Sequence, residues 1–407
     1  MLLPLSNVPR DYAWGSTTLI AELEGREPSG AREAEVWFGD HPGSPAKTPD
    51  GRTLDRWLRE EGAASGAPDR LPYLLKLLAA ASPLSIQSHP SKEQARAGFE
   101  REEAAGVPVD APHRVFRDDN HKPELIVAVS DTFTALAGVR DLAATRRLLA
   151  ELGEAGRAIS QRLEGESDAS AVCDTIAWLL SGEASAEVEA VVGAASVADS
   201  HEFAQEFGFI RRFGAEFPGD PGLVVALLMN LVTLRRGEAL FVDAGVLHAY
   251  VEGLGVEIMA ASDNVLRGGL TPKHIDVPGL LEVLDPTPGP PPVLEPRTVA
   301  SGVDLYAPGV PDFALVRARV ADGADASVAL RGTAIALAVA GPVTVADPET
   351  GESVVLGPGR AALAAGVDRL VLSGSGEVFI AEPGEWRAST GGRWTPYQNR
   401  DTPSARP

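Results

Sequence analysis

The chain of 407 residues carries a formal net charge of -21 at pH 7. This acidic balance argues against nucleic acid and anionic membrane surfaces as partners, because both require a basic face. The length exceeds what one hydrophobic core organises, so two or three packing units are expected. A single cysteine, Cys173, rules out a disulfide framework. Residues 1–5 do not resemble a signal peptide and no apolar run approaches about 20 residues, so we expect a cytoplasmic protein.

The first predicted elements are two helices with a strand between them. Residues 16–23 and 54–59 are expected to be helical, and the mostly alternating residues 33–40 predict a strand that ends in a turn. His41 lies in that turn. It either lines a pocket or is an ordinary turn histidine next to a proline, and both interpretations remain open at this point.

Lysine is rare in this chain, with five lysines against 31 arginines. Lys76 interrupts the apolar run 71–78, so its ammonium must reach either solvent or a polar site, and we favour the polar site. Lys122 and Lys273 also lie in segments rich in polar motif residues. Where arginine is the usual cation, a lysine indicates that a compact or titratable amine is required.

Residue types that bind metal ions follow Lys76. Gln87 and His89 are two positions apart, so a strand would place both side chains on one face. Glu124 directly precedes the apolar run 125–129, which predicts a buried strand. Amide oxygen, imidazole and carboxylate all suit a borderline metal such as Zn²⁺, and a fourth ligand must come from elsewhere in the chain. His248 is the best candidate.

A helical insert is predicted from Asp141 to about Arg236. Alanine, leucine, glutamate and arginine recur there at helical spacing, and Asp141 is a suitable N-cap. The apolar run 223–229 is interpreted as a core helix rather than a cofactor-binding segment.

Residues 238–250 predict two strands separated by a glycine turn. The second strand carries His248, and cupin-like β-sandwiches present a metal ligand in this way. Further on, Glu257 interrupts an apolar strand, so its carboxylate needs either a partner or a role in proton transfer. Arg267 precedes two glycines that leave its backbone and guanidinium open to a ligand.

The last part of the chain is predicted to form a second β-sandwich. A proline-rich linker at 284–292 precedes apolar strands separated by Gly, Pro and Asp turns, at 334–340, 343–346, 353–356, 370–372 and 378–380. No histidine follows His274, so this part has no imidazole site and is expected to be structural.

The predicted fold is therefore mainly β with a helical insert. It consists of two cupin-like β-sandwich (jelly-roll) domains plus an α-helical domain. The predicted boundaries are 1–139 with 237–285 for the catalytic cupin-like domain, 140–236 for the helical insert, 286–390 for the C-terminal β-sandwich and 391–407 for a tail.

Four ordered motifs carry a family resemblance, namely Ile-Gln-Ser-His-Pro at 86–90, Asn-His-Lys-Pro-Glu at 120–124, Gly-Val-Leu-His-Ala-Tyr at 245–250 and Asp-Asn-Val-Leu-Arg-Gly-Gly-Leu-Thr-Pro-Lys at 263–273. In this order they resemble the type I phosphomannose isomerase family. Residues 12–15 and 35–42 resemble it too, so the similarity runs from near the N-terminus to about Val277. The helical insert diverges and adds no support.

The resemblance implies the interconversion of mannose 6-phosphate and fructose 6-phosphate, with one zinc ion per chain. A proton would move between C2 and C1 through a cis-enediol. The implied setting is carbohydrate metabolism and GDP-mannose biosynthesis, with a small sugar phosphate as the partner and a monomeric chain. The implied zinc ligands are Gln87, His89, Glu124 and His248. The resemblance assigns Arg267 to catalysis. The implied residues around the sugar phosphate are Lys76, Lys122, Glu257, Asp263, Lys273, Ser85 and Tyr250, of which Glu257 and Lys122 are also candidate catalytic residues.

The implied chemistry needs a base, and Glu257 is our first choice because its apolar neighbours would raise its pKa. Lys122 is the rival base. Arg267 does not deprotonate readily, so we assign it to charge stabilisation or phosphate positioning. Lys273 and Lys76 would attract the phosphate dianion, and holding that remote group fixes the reacting carbons.

Two other functions compete with the isomerase. A cupin-like sugar-phosphate-binding regulator could keep the pocket without turnover, but such a protein need not keep Glu257, Lys122 and Arg267. An Fe(II) oxygenase could use His89, Glu124 and His248 as a facial triad. Gln87 as a fourth ligand and the lysines of the pocket count against the oxygenase.

Overall fold

The computed structural model describes residues 1–321 and 323–384. Its N-terminal third contains these elements: β1 (Leu2–Leu5), α1 (Leu19–Glu24), β2 (Glu35–Phe38), α2 (Leu54–Trp57), β3 (Tyr73–Ala80), β4 (Gln87–Ser88), α3 (Lys92–Ala104), β5 (Glu124–Ala128) and β6 (Thr132–Val139). A π-helical turn, Leu58–Gly62, continues α2. The helices predicted at 16–23 and 54–59 and the buried strand at 125–129 are thus present with small shifts at their ends.

The middle of the chain is helical and then returns to strands. Its elements are α4 (Leu142–Glu151), α5 (Glu154–Arg162), α6 (Asp168–Leu180), α7 (Ser185–Val197), α8 (Ala204–Phe213), α9 (Gly222–Leu227), β7 (Met229–Arg235), β8 (Ala239–Val242), β9 (His248–Ala260), β10 (Leu266–Arg267) and α10 (Val277–Val283). Asp141 caps α4 as predicted, since its carboxylate accepts from the N–H of Ala144 at 2.9 Å.

The prediction of helix up to about Arg236 is wrong for residues 229–235. These residues form β7, which pairs antiparallel with β6. Partly exposed and buried side chains alternate along β7, which suits the edge of a sheet. Pairing with a distant strand therefore determined the structure here.

A ten-stranded sheet organises the first two thirds of the chain, and β9 is its centre. This 13-residue strand pairs with β3, β4, β5 and β6. Nearly all of its residues are buried, which explains the apolar run 254–260. Because β9 contacts so many strands, His248 at its start and Glu257 near its end face residues from several parts of the sequence.

The C-terminal third is a set of strands: β11 (Val293–Leu294), β12 (Arg297–Ala300), β13 (Val303–Tyr306), β14 (Ala314–Val320), β15 (Ala326–Ala329), β16 (Ala334–Ala340), β17 (Val343–Ala346), β18 (Ser353–Leu356), β19 (Ala361–Ala364), β20 (Arg369–Gly374) and β21 (Gly376–Glu382). Strands β12 to β21, together with β1, form a seven-stranded and a four-stranded sheet that share one buried cluster of mainly valines, leucines and alanines. The five strands predicted here are all present. The predicted tail, 391–407, lies outside the described residues.

Two strands pair across the predicted boundaries. β1 belongs to the C-terminal seven-stranded sheet, where it pairs with β19. β11 lies beyond residue 285 but pairs with β8 of the ten-stranded sheet. The N-terminal and C-terminal portions therefore exchange strands, which links them through backbone hydrogen bonds as well as side chains.

A shared core and buried polar contacts join the two portions. One hydrophobic cluster contains residues of β3, β5 and β9 together with residues of β16, β19 and β21. The buried hydroxyl of Tyr306 donates to the carbonyl of Gly237 at 2.6 Å. The carboxylate of Glu377 contacts Arg317 at 2.6 Å and Arg236 at 2.8 Å. The fold is thus mainly β with a helical segment, and none of its described helices is long and apolar enough to cross a membrane.

Candidate active site

A cavity of about 80 Å³ opens to solvent beside β9. Its lining residues are Glu35, Lys76, Leu78, Leu84, Ser85, Gln87, Lys122, Glu124, His248, Ala249, Tyr250 and Glu257. Most of the polar members were predicted from the sequence as site residues. Charged side chains facing a small cavity inside an otherwise apolar sheet mark a site with a chemical role.

Three predicted metal ligands converge at one end of this cavity. Ligand atoms of His89, Glu124 and His248 all lie within 4.8 Å of one another, and all three residues are buried. The Nε2 atoms of the two histidines lie 3.2 Å and 3.4 Å from the two oxygens of Glu124. His89 follows β4 directly, Glu124 begins β5 and His248 begins β9.

The hydrogen bonds of the two imidazoles show that this cluster suits a cation. His89 Nδ1 lies 2.7 Å from the carbonyl oxygen of Asn264, and His248 Nδ1 lies 3.0 Å from that of Val246. A carbonyl only accepts, so each Nδ1 carries the proton and each Nε2 presents a lone pair to the carboxylate. The buried Nε2 of His89 has no hydrogen-bond partner among the described residues. A metal ion would satisfy both lone pairs and the carboxylate at once.

Electrostatics favour the same protonation states. Burial, followed by the nearby Lys122 charge, lowers the pKa of His89 to about 4, which keeps this imidazole neutral at physiological pH. Burial alone would raise the pKa of Glu124, but Lys122 and His89 hold it well below its usual value. A neutral imidazole and an ionised carboxylate are the forms that bind metals.

Gln87 and Ser85 lie next to the histidine cluster. Gln87 is the register partner of His248, so the two residues sit side by side on β4 and β9. The Gln87 amide nitrogen donates to Ser85 Oγ at 3.1 Å. The side-chain oxygen of Gln87 therefore remains available as a fourth metal ligand. The prediction that Gln87 and His89 share a strand face holds only in part, because β4 ends at Ser88.

Two further predicted residues contact the carboxylate of Glu124. Lys122 Nζ lies 2.9 Å from Glu124 Oε1, and the Tyr250 hydroxyl donates to Oε2 at 3.4 Å. Lys122 is therefore held as the counter-ion of a candidate metal ligand. Tyr250 is fully enclosed, so its hydroxyl orients the carboxylate from the wall of the cavity.

The other end of the cavity holds a buried ion pair. Lys76 Nζ lies 2.9 Å from Glu257 Oε2 and 3.8 Å from Glu35 Oε1. Burial, with the charges of Glu124 and Glu35, raises the pKa of Glu257 despite Lys76. Burial alone would lower the pKa of Lys76. The nearby carboxylates of Glu257, Glu35 and Glu124 outweigh this effect and raise the pKa above its usual value. Lys76 thus points into a polar site, as its position in an apolar run indicated.

Arg267, Lys273 and Asp263 do not line the cavity. Asp263 Oδ1 lies 3.2 Å from His41 Nε2, so His41 contacts a predicted site residue. Burial, followed by charge repulsion from neighbouring cations, lowers the pKa of both Arg267 and Lys273. These two cations therefore form a basic group on the segment that follows Asp263, and this group adjoins the cavity because Arg267 is the register partner of Gln87.

Sequence reasoning missed some residues of this region. Glu35 was read only as part of a strand, although it accepts from the Trp37 indole at 2.8 Å and faces Lys76. Asn264 is fully buried. Its backbone carbonyl accepts from the ring of His89 and its side chain bonds the loop that carries Arg117, but a single asparagine inside a motif gives no local signal. Asp220 and Arg117 lie in loops that are distant in sequence from the residues they contact. Asp220 accepts from the N–H groups of Leu270 and Thr271, and the N–H of Arg117 donates to Asn264.

Comparisons with known proteins agree with this site. A family model described as "Phosphomannose isomerase type I, catalytic domain" matches residues 2–142. The chain is 37% identical to mannose-6-phosphate isomerase of Salmonella typhimurium, over 93% of this chain and 98% of the relative. It is 35% identical to that of Escherichia coli K12, over 92% and 97%. The Homo sapiens relative is 33% identical, over 86% and 90%.

Solved structures show the same similarity in three dimensions. A crystal structure of mannose 6-phosphate isomerase described as holo and zinc bound superposes with a TM-score of 0.85 at 33% identity, covering 94% of this chain and 100% of that one. Another, bound with zinc and yttrium, gives a TM-score of 0.84 at 33% identity, with the same coverage. From sequence and structure together, the chain belongs to the type I phosphomannose isomerase family.

Proposed function

We propose that this protein is a zinc-dependent isomerase that interconverts D-mannose 6-phosphate and D-fructose 6-phosphate. The observation that carries the proposal is one cavity lined by both a metal-ligand cluster, with Glu124 and His248, and a buried carboxylate of raised pKa, Glu257. Relatives that match nearly the whole chain are named as isomerases, which does not favour the binding-only regulator.

Gln87, His89, Glu124 and His248 would hold one zinc ion. Imidazole nitrogens with free lone pairs, a carboxylate and an amide oxygen fit its preferences. When bound, zinc supplies a Lewis acid that stabilises negative charge on the oxygens attached to C1 and C2. The hydrogen bonds from His89 and His248 to backbone carbonyls keep both rings oriented for this role.

Glu257 is the base in this proposal. Its raised pKa lets the carboxylate take the proton from C2 and return it to C1 on the same face of the cis-enediol. Lys76 holds the carboxylate in place and balances its charge at 2.9 Å. Lys122 remains the alternative base, but its contact with Glu124 makes it better suited to support the metal site.

The remaining predicted residues would bind and orient the sugar phosphate. We assign Arg267 and Lys273 to the phosphate, because they form a basic group beside the cavity, where Arg267 is the register partner of Gln87. Ser85, Tyr250 and Asp263 offer hydroxyl and carboxylate partners to sugar hydroxyls. Binding the remote phosphate would hold C1 and C2 against Glu257.

We also propose the finer architecture. The ten-stranded sheet and the C-terminal pair of sheets would each be a cupin-like β-sandwich, with the helical segment inserted into the first. We expect the protein to act as a monomer. The single cysteine supports a reducing, cytoplasmic setting, and the product would serve GDP-mannose biosynthesis.

Turnover in D₂O tests the proposed route. A proton taken by Glu257 exchanges in part with solvent before its return, so deuterium should enter C1 of fructose 6-phosphate. Product formed by Glu257→Gln should be negligible. Full turnover by Glu257→Gln, with the same deuterium content in its product as in that of the unaltered protein, would contradict the role given to Glu257.

A further inference from the structure

Arg117 is a third cation beside the two assigned to phosphate. It lies in the loop between α3 and β5, far from Arg267 and Lys273 in sequence. Its charge nonetheless adds to the burial that lowers the pKa of Arg267 and Lys273, which places the three cations within electrostatic reach of one another. Among the residues that the structure describes, none of the three side chains forms an ion pair or a hydrogen bond.

A buried asparagine fixes the backbone that carries Arg117. Asn264 Oδ1 accepts from the backbone N–H of Arg117 at 2.7 Å and of Asp118 at 3.2 Å. Its Nδ2 donates to the carbonyls of Asp118 and Asn120, each at 2.8 Å. Asn264 is completely buried and precedes Arg267 by three residues, so one side chain ties the Arg117 loop to the strand of Arg267.

The segment between Arg267 and Lys273 is fixed as well. Asp220 accepts from the N–H groups of Gly222 at 2.7 Å, Leu270 at 3.1 Å and Thr271 at 3.1 Å. Leu270 has a φ of 54°, the only positive value at a non-glycine position among the described residues. A leucine is held in this region only when surrounding contacts enforce it, and such sites are commonly functional.

The carboxylates of Asp263, Asp118 and Asp220 lie near this group, and all three are engaged in other contacts. The Asp263 carboxylate contacts His41 at 3.2 Å, and its own N–H donates to Asp118 at 2.7 Å. Two separate backbone anchors hold the three cations near one another, and no ion pair among the described residues neutralises any of the three. Such an arrangement is stabilised by an anion with several acceptor oxygens.

We propose that Arg117 is a phosphate-binding residue, which completes a three-cation site with Arg267 and Lys273 for the phosphate of the sugar substrate. This inference rests on the proposed function for the identity of the substrate. The site itself is defined by chemistry, namely a phosphate monoester dianion. Arg117 is exposed, so its removal should leave the fold intact.

Calorimetric titration with inorganic phosphate tests the site independently of turnover. The variants are Arg117→Ala and Arg117→Lys, and the matched control is Arg157→Ala, which removes an exposed arginine from α5. Losing one charge-assisted contact should weaken phosphate binding about tenfold or more in Arg117→Ala. Arg117→Lys should recover part of the affinity, because lysine restores the positive charge but not the planar guanidinium that can donate two parallel hydrogen bonds. The control should bind as the unaltered protein does.

The Michaelis constant separates the two proposals. In Arg117→Ala the KM for mannose 6-phosphate should rise by a factor similar to the loss in phosphate affinity, with kcat changed much less. Unchanged phosphate affinity and unchanged KM in Arg117→Ala, with normal turnover, would overturn the role of Arg117 and leave the isomerase standing. Weaker phosphate binding in a protein that lacks turnover would support Arg117 and refute the isomerase.

Discussion

Lys76 Nζ and Glu257 Oε2 lie 2.9 Å apart, and the two residues are register partners on adjacent strands β3 and β9. Their side chains are only 8% and 3% exposed. A buried ion pair is weak evidence for stability, since desolvation offsets much of its attraction. Its place on the cavity wall instead gives a carboxylate that is fixed, balanced and able to accept a proton.

Replacing Glu257 by glutamine should abolish turnover without loss of metal. The amide keeps the size of the side chain but cannot take a proton from C2, so kcat should fall by at least about 100-fold. Glu295→Gln, at an exposed position, is the control and should keep full activity. Metal content measured by atomic absorption should be equal in both variants. Full activity in Glu257→Gln would refute the choice of base.

The pH dependence of kcat/KM should report the raised pKa of Glu257. Glu257 acts as a base only when deprotonated, so activity is lost as the pH falls through its pKa. The acid limb of the profile is the part where activity falls at low pH. Because burial raises the pKa of Glu257, the apparent pKa of this limb should lie above the value of about 4.3 for an ordinary glutamate.

The same limb should move to higher pH in Lys76→Met, because the ammonium that lowers the pKa of Glu257 is gone. Lys47→Met, which alters an exposed lysine, should leave the profile unchanged. A limb that stays in place or moves to lower pH in Lys76→Met would show that Glu257 does not control it.

Removing His248 should remove the metal. Its ring supplies one of three buried ligand atoms, so zinc affinity should fall by more than the roughly 10–100-fold that the loss of an outer-shell partner costs. Activity should be lost together with the metal. Competition with a chromogenic chelator measures the affinity, and His201→Ala provides an exposed histidine control. Tight zinc binding by His248→Ala would exclude this residue as a ligand.

Asp220 should control both stability and KM although it lies outside the cavity. Asp220→Ala removes the acceptor for three backbone N–H groups around the strained Leu270, which should cost about 1–3 kcal/mol of unfolding free energy. The segment joining Arg267 and Lys273 would then loosen, so KM should rise. Asp220→Asn keeps one acceptor oxygen and should show a smaller effect in thermal unfolding and in kinetics. Equal KM values in all three proteins would separate Asp220 from substrate binding.

The sequence reveals the site where a polar residue interrupts an apolar strand. Lys76 and Glu257 could be singled out in this way, and their predicted need for partners is met by their contact with each other. His248 and Glu124 stand at the ends of strands, where ligands commonly lie. These signals are local, so they can be read without knowing how the strands pair.

Contacts made by strand pairing or by loops could not be predicted. Glu35 reaches Lys76 because β2 pairs with β3, and β1 at the start of the chain pairs with β19 at residues 361–364. The residue types at 229–235 predict a helix, but the segment is a strand because its pairing with β6 overrides local propensity. Asn264 organises the Arg117 loop through hydrogen bonds that leave no pattern in the sequence.

The central claim is that this cavity isomerises a sugar phosphate with the help of zinc. The most direct test measures fructose 6-phosphate formed from mannose 6-phosphate by metal-stripped protein, before and after zinc is added back. We expect turnover only after zinc is restored, and none by His248→Ala under either condition. Turnover that is equally fast in the stripped protein, or none once bound zinc has been verified, would contradict the account.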